Sequence, residues 1–210
     1  MDLSTMRTMV RRDLKDEDSG NYRWTNEELD RHIDHALKEL SEAVPLPAKA
    51  TLPTIPSSRV VDISSLTDRV MVKAVEYPVG KFPPRYQRFT LWGHALTLFG
   101  DEIPDGTNCN VYYGSLHTLD NSTSTIPSRL EDLVATGAEG YAAVEWATYA
   151  INRVNVGGTV TPRDFLAWGN EKLKFFTSEL KRLGRRNRVR LRSMYKPYIC
   201  PLSQSTEYGP

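Results

Sequence analysis

The 210-residue chain predicts an α+β fold, mainly α: a framework of about four helices with an inserted small antiparallel β block and an extended C-terminal tail. Three observations predict it. Apolar residues recur at helical spacing near both ends of the chain. Between them, residues 46–127 trade that spacing for short β-branched and aromatic runs bounded by proline. The last stretch is rich in arginine and has no apolar stripe of its own.

The first helix is expected from Leu3 to Leu14, where Leu3, Met6, Val10 and Leu14 share a face and Arg7, Arg11 and Arg12 fall off it. Asp16 to Asn21 is a polar breaker. Thr25-Asn26-Glu27-Glu28 then reads as a capping box, with the threonine hydroxyl and the Glu28 carboxylate each serving a first-turn N–H. Leu29, Ile33, Leu37, Leu40 and Val44 make one stripe, and Pro45 and Pro47 stop the helix.

Strands are expected at Arg59–Ser64, Arg69–Tyr77, Gln87–Trp92, Ala95–Phe99 and Cys109–Tyr113. Gly93-His94 links two of them, and Pro104-Asp105-Gly106 is a turn. Residues 114–126 read as a loop leading back to the helices.

A second capping box, Ser128 to Glu131, opens the third helix. Its apolar face is Leu130, Val134, Tyr141, Val144, Thr148 and Ile151, and Gly137, Ala138, Gly140, Ala142, Ala143, Ala147 and Ala150 add small side chains. Each helical glycine costs roughly 1 kcal/mol against alanine, so packing must compensate. A tight helix pair within the chain and a contact between subunits both satisfy that demand. After Gly157-Gly158, Thr161-Pro162-Arg163-Asp164 starts the fourth helix. Leu166, Leu173, Phe176, Leu180 and Leu183 form its core stripe, and Gly184 is the expected C-cap. Phe165, Trp168 and Phe175 widen the apolar arc beyond what one helix pair needs. With Tyr141 they are the candidate subunit-interface residues.

The chemistry of catalysis is not legible. His32 and His35 lie three apart on the second helix, a spacing open to a metal, but no cysteine is near and the acids around them are ordinary surface residues. His94 falls in a turn and His117 in a polar loop. Val156-Gly157-Gly158-Thr159 lacks the spacing and lysine of a phosphate loop. The acid pairs Glu27-Glu28 and Glu131-Asp132 suit helix first turns. No catalytic residue, metal site or cofactor is expected, and the chain is read as not an enzyme. Cys109 and Cys200 are far apart and read as free thiols of a cytoplasmic product. Neither a secretory leader nor a membrane span is expected.

The net charge is only +1, but it is unevenly spread. Residues 181–196 carry eight bases and no acid, which marks an end that meets an anionic surface. Tyr195, Pro197, Tyr198, Ile199, Pro201 and Leu202 follow the run. Three readings fit: a nucleic-acid arm with salt-dependent binding, a segment that docks on a protein partner, or a solvated terminus.

Several of these segments together resemble the head-to-tail adaptor, or connector, proteins of tailed bacteriophages. Met6-Arg7 through Trp24-Thr25-Asn26-Glu27-Glu28-Leu29 looks like their opening helix, loop and second-helix start. Arg88 to Gly93, Leu96-Thr97-Leu98, Ile103 to Gly106 and Val111-Tyr112-Tyr113 look like their β insertion. Glu139 to Ala143 and a last helix ending in a long tail complete the likeness. The resemblance implies a single adaptor domain over 1–185 (helices 1–45, β insertion 46–127, two long helices 128–185) and a tail at 186–210. It implies a ring, usually of twelve copies, beneath the portal protein of a DNA-filled capsid. The ring extends the channel for genomic DNA and offers a platform to a tail or further neck protein. The portal-docking tail would be Arg185, Arg186, Arg188, Arg190, Arg192, Tyr195, Tyr198 and Ile199. The implied location is the virion head–tail interface, with no membrane partner. The competing function is a nucleic-acid-binding protein that uses the basic tail.

Overall fold

The structure, a computed structural model, describes residues 1–100, 102–150 and 161–195, with side chains described as far as residue 187. Among the described residues the order is α1 (Leu3–Leu14), α2 (Asn26–Ala43), β1 (Leu46–Pro53), β2 (Val60–Asp62), β3 (Arg69–Glu76), β4 (Tyr86–Trp92), β5 (Ala95–Phe99), β6 (Asn108–Ser115), a short 3-10 turn (Ser128–Leu130), α3 (Glu131–Ala150) and α4 (Pro162–Tyr195). Two compact units result. One is helical, from Met1–Val44 and His117–Gly184; the other takes in the sheet of Pro45–Leu116 and the end of α4 from Arg185.

In the helical unit α1 begins at Asp2, whose carboxylate accepts from Thr5 N at 2.7 Å. The Thr25 hydroxyl accepts from Glu28 N at 3.2 Å and Glu28 accepts from Thr25 N at 2.7 Å, so the expected capping box forms. At Ser128 it does not. The first turn there is 3-10 and no side chain caps it, because Leu130 N bonds to Pro127 O and tightens the entry. Met6, Val10, Leu29, Ile33, Leu40, Val134, Ala138 and Phe176 close a single core with almost no exposed surface. Phe176 is its largest fully buried side chain; truncating such a residue to alanine costs about 3–5 kcal/mol.

The sheet is larger than the small block expected. Six antiparallel strands lie in the order β1-β6-β3-β4-β5-β2. The unforeseen strand is β1. Its prolines read as a helix stop and as the border of the β block, yet Pro47 and Pro53 lie on an edge strand, where a missing N–H costs no ladder bond. One core is shared by Leu52 of β1, Val61 of β2, Val75 of β3, Leu96 and Leu98 of β5 and Cys109 and Val111 of β6. Residues at both ends of the strand order meet in it, so the sheet curls on itself. Two register shifts between β3 and β6 bend β3 and help that curl. Strands β3 and β4 pair only at Val75–Gln87 and Glu76–Tyr86 before they part. The Arg69 guanidinium spans the opening and donates to Ile63 O at 3.2 Å and Gly93 O at 3.4 Å. Gly93, at φ 58°, makes the expected tight β4–β5 turn in a conformation that favours glycine.

The C-terminal expectation needs correction as well. Gly184 does not end α4, which runs on through Tyr195, so residues 186–195 are helical rather than extended or disordered. Arg185, Arg186, Arg188, Arg190, Leu191, Arg192 and Met194 are good helix formers, which outweighs one interior glycine. Residues 196–210 lie outside the described residues.

Candidate functional site

The candidate interaction residues fall on α3 and α4, and their setting begins with the small residues of α3. A methyl on Gly137 would lie 2.9 Å from both Ala36 Cβ of α2 and the Phe176 ring of α4. On Gly140 it would lie 2.8 Å from Leu173. The small side chains therefore serve packing within the chain. Buried residues lie on several sides of α3: Ala135, Ala138, Glu139, Ala142, Ala143 and Ala147 are all covered. The expected face is only half right. Tyr141 and Val144 are half-buried, Thr148 is exposed and Ile151 lies outside the described residues.

The four aromatic candidates divide. Phe165 packs against Trp146 at a centroid distance of 4.8 Å and meets Trp168 edge-on at 6.1 Å. The Arg23 guanidinium lies 5.2 Å from the Trp146 ring and 5.7 Å from Phe165, so cation–π attraction ties this cluster to the loop before α2. Tyr141 stacks on His35 at 4.1 Å. Burial and the neighbouring Glu39 hold its hydroxyl proton more tightly than in an ordinary tyrosine. Phe175 alone stands mostly free, 57% exposed, beside a shallow groove lined by Arg129, Leu133, Thr136 and Arg182. Phe165, Trp168 and Phe175 thus line one flank of α4, two half-buried and one open.

Of the tail candidates, Arg185 and Arg186 are exposed on α4. Positions 188, 190, 192 and 195 belong to the same helix. Tyr198 and Ile199 lie outside the described residues.

Two buried charge clusters support the helical unit. Arg11 is held by Asp16 Oδ2 at 2.5 Å, Trp24 O at 2.9 Å and Asn26 Oδ1 at 3.0 Å, with Tyr22 3.6 Å beneath its guanidinium. Between α3 and α4, Glu139 is 1% exposed and its Oε2 lies 2.9 Å from Lys172 Nζ. Burial pushes the Glu139 carboxyl up to about 7; Lys172 pulls it down, and Asp13 of α1 pushes it further up.

Two of the histidines are buried among structural partners. His32 is buried with Nε2 2.5 Å from Glu145, and burial lowers its proton affinity. His117 is buried, not solvated in a loop: its ring bonds Thr125 O and Val44 O, each at 2.9 Å. No group of three metal-ligating side chains occurs among the described residues. Among those residues no helix is long and apolar enough to cross a membrane.

In the sheet unit, Tyr77 joins two loops. Its hydroxyl donates to Asp105 Oδ1 at 2.8 Å and accepts from Asp105 N at 2.9 Å. Bonds from Thr107 and then Tyr77 hold the Asp105 carboxyl down at about 2. Buried Glu76 accepts from Asn110 and Tyr112, and that bond pushes the Tyr112 hydroxyl up to about 12. Sequence reasoning passed over two exposed aromatics here, Phe82 at 98% and Trp92 at 89%. Their signal was local: each sits beside a turn residue, Pro83 and Gly93, where a large apolar side chain finds no cover.

No protein-family model matches the chain, and no curated protein matches it.

Proposed function

We propose that this chain is a structural virion protein, a head-to-tail adaptor. Copies of it form a ring, twelve by the resemblance, between the portal of a DNA-filled capsid and the tail. The ring extends the DNA channel and binds a tail or further neck protein on its far side. It has no catalytic role, works at the head–tail interface of the virion after synthesis in the host cytoplasm, and takes no membrane partner.

The observation that carries the reading is α4. Its first half packs in the helical core, and from Lys181 onward it continues through seven bases and no acid to Tyr195. A single helix thus carries the chain from the helical core into a segment suited to an anionic partner surface. The segment beyond it, with Tyr198 and Ile199, completes the portal-docking strip. Ring closure needs two different surfaces on each copy, joined by a rotation that closes. The Phe165–Trp168–Phe175 flank supplies one of them, since half-covered aromatics suit the centre of a protein interface.

Electron microscopy of the chain mixed with the portal protein from the same source tests the reading. A new ring on one end of the portal is expected, lost when residues 186–210 are deleted. Absence of that ring when both proteins are folded would overturn the adaptor reading. Normal docking of the truncated chain would overturn the role of the tail alone.

A further inference from the structure

The outer line of α4 differs from both its buried side and its aromatic flank. At 3.6 residues per turn, Arg163, Lys174, Lys181 and Arg185 fall within about 20° of one line along the helix. Ala167, Asn170, Thr177 and Ser178 fill the gaps, all within about 60° of it. All eight are exposed. None of the four bases has an ion-pair partner among the described residues. Of the acids of α4, Glu171 borders the line at about 60°, Asp164 lies about 80° from it and Glu179 about 140°. Glu179 is taken by Arg182, and Asp164 caps Thr161. The ridge is about 33 Å long, with bases about 16, 10 and 6 Å apart.

Its composition selects the partner. A protein interface needs an apolar centre, and this line has no side chain larger than alanine that is apolar. A bilayer surface needs an apolar face to bury beside the charge. Here the opposite side of α4, with Phe176 and Leu180, is already spent in the core. What remains is a straight row of cations without ion-pair partners among the described residues, set among small amide and hydroxyl side chains with Glu171 alone at its edge. Such a row suits a regular array of phosphates: lysine and arginine release counterions on contact, and short polar side chains let the backbone approach and bond to it.

We propose that this ridge of α4 binds the phosphate backbone of duplex DNA without regard to sequence. The site is separate from the basic run beyond Arg186 and does not depend on a portal or a ring.

The test uses the full chain and a fluorescent 30-base-pair duplex, with anisotropy followed across a salt series. The ridge variant is Arg163→Gln/Lys174→Gln, outside the run that starts at Lys181; a tail variant, Arg188→Gln/Arg190→Gln/Arg192→Gln, is its counterpart. Two lost phosphate contacts should lower the slope of log affinity against log salt by about two, equally for duplexes of unrelated sequence. The helical circular dichroism should be unchanged, because all the altered side chains of the ridge are exposed. Unchanged affinity and slope in the ridge variant, with binding lost only in the tail variant, would overturn the proposal. So would binding to polyglutamate with none to the duplex, which would assign the ridge to an acidic protein. Portal docking by the ridge variant, read by microscopy, keeps the adaptor reading separate from this one.

Discussion

Gly140 and Gly169 face each other across the crossing of α3 and α4. A methyl on Gly169 would lie 3.1 Å from the Gly140 carbonyl oxygen, and one on Gly140 would lie 3.2 Å from that of Gly169. Backbone meets backbone there, with Ala143 and Leu173 completing the contact.

That closeness sets the outcome of Gly169→Ala. Helix propensity favours alanine by about 1 kcal/mol. Overpacking a crossing with no room costs about 1–3 kcal/mol and should win. Urea unfolding should place the variant below the parent chain in stability. A net gain would mean that the two helices can separate without penalty.

Glu139 predicts an unusual pH dependence. Its carboxyl titrates near 7 in the folded chain, against 4.5 as the ordinary value. Between those values the folded chain keeps a proton that the unfolded chain has released. The contribution to stability is therefore full below about pH 4.5 and falls as pH rises through 7. Over that window the loss is on the order of 3 kcal/mol. Glu139→Gln should flatten this part of the profile, so the variant gains on the parent between pH 5 and pH 8. Parallel profiles from denaturant titrations at both pH values would refute the assignment.

Arg11 and Lys38 make ion pairs of very different worth. Arg11→Met leaves Asp16 buried without its cation and should cost about 3–5 kcal/mol. Lys38→Ala breaks only an exposed pair with Asp34 and should cost less than about 1 kcal/mol. Thermal denaturation of the two variants side by side measures the difference.

Tyr77→Phe removes the hydroxyl that both accepts from and donates to Asp105. The Asp105 carboxyl should titrate above its present value of about 2, yet stay below the ordinary 3.8 because Thr107 still donates. A carboxyl carbon NMR titration reads this directly. An unmoved titration would show that Thr107 alone sets it.

The helices were legible where side chains act locally. The Leu3–Leu14 period and the Thr25/Glu28 cap depend on residues three or four apart, and both formed as expected. β1 was not legible, since prolines are tolerated there because, among the described strands, it pairs with β6 alone, a fact set by residues about sixty positions away. Ser128 has the letters of a cap, but Pro127 fixed a tighter turn in front of it. Gly184 has the letter of a stop, but the sequence beyond it still favours helix. For the candidate site, the aromatic flank of α4 was visible in the sequence. That Phe165 is engaged by Trp146 while Phe175 stands open was not, because it depends on which helix crosses where. The separation of the basic line from that flank needed the full course of α4.

Pro47 and Pro53 also shape how copies of this chain treat one another. An open sheet edge is an invitation to any extended strand, and identical chains at high local concentration supply many. Both prolines are exposed on the edge strand and offer no donor to a newcomer. Strand-on-strand stacking into fibres is thereby discouraged at the outset, and copies are left to associate through side chains instead.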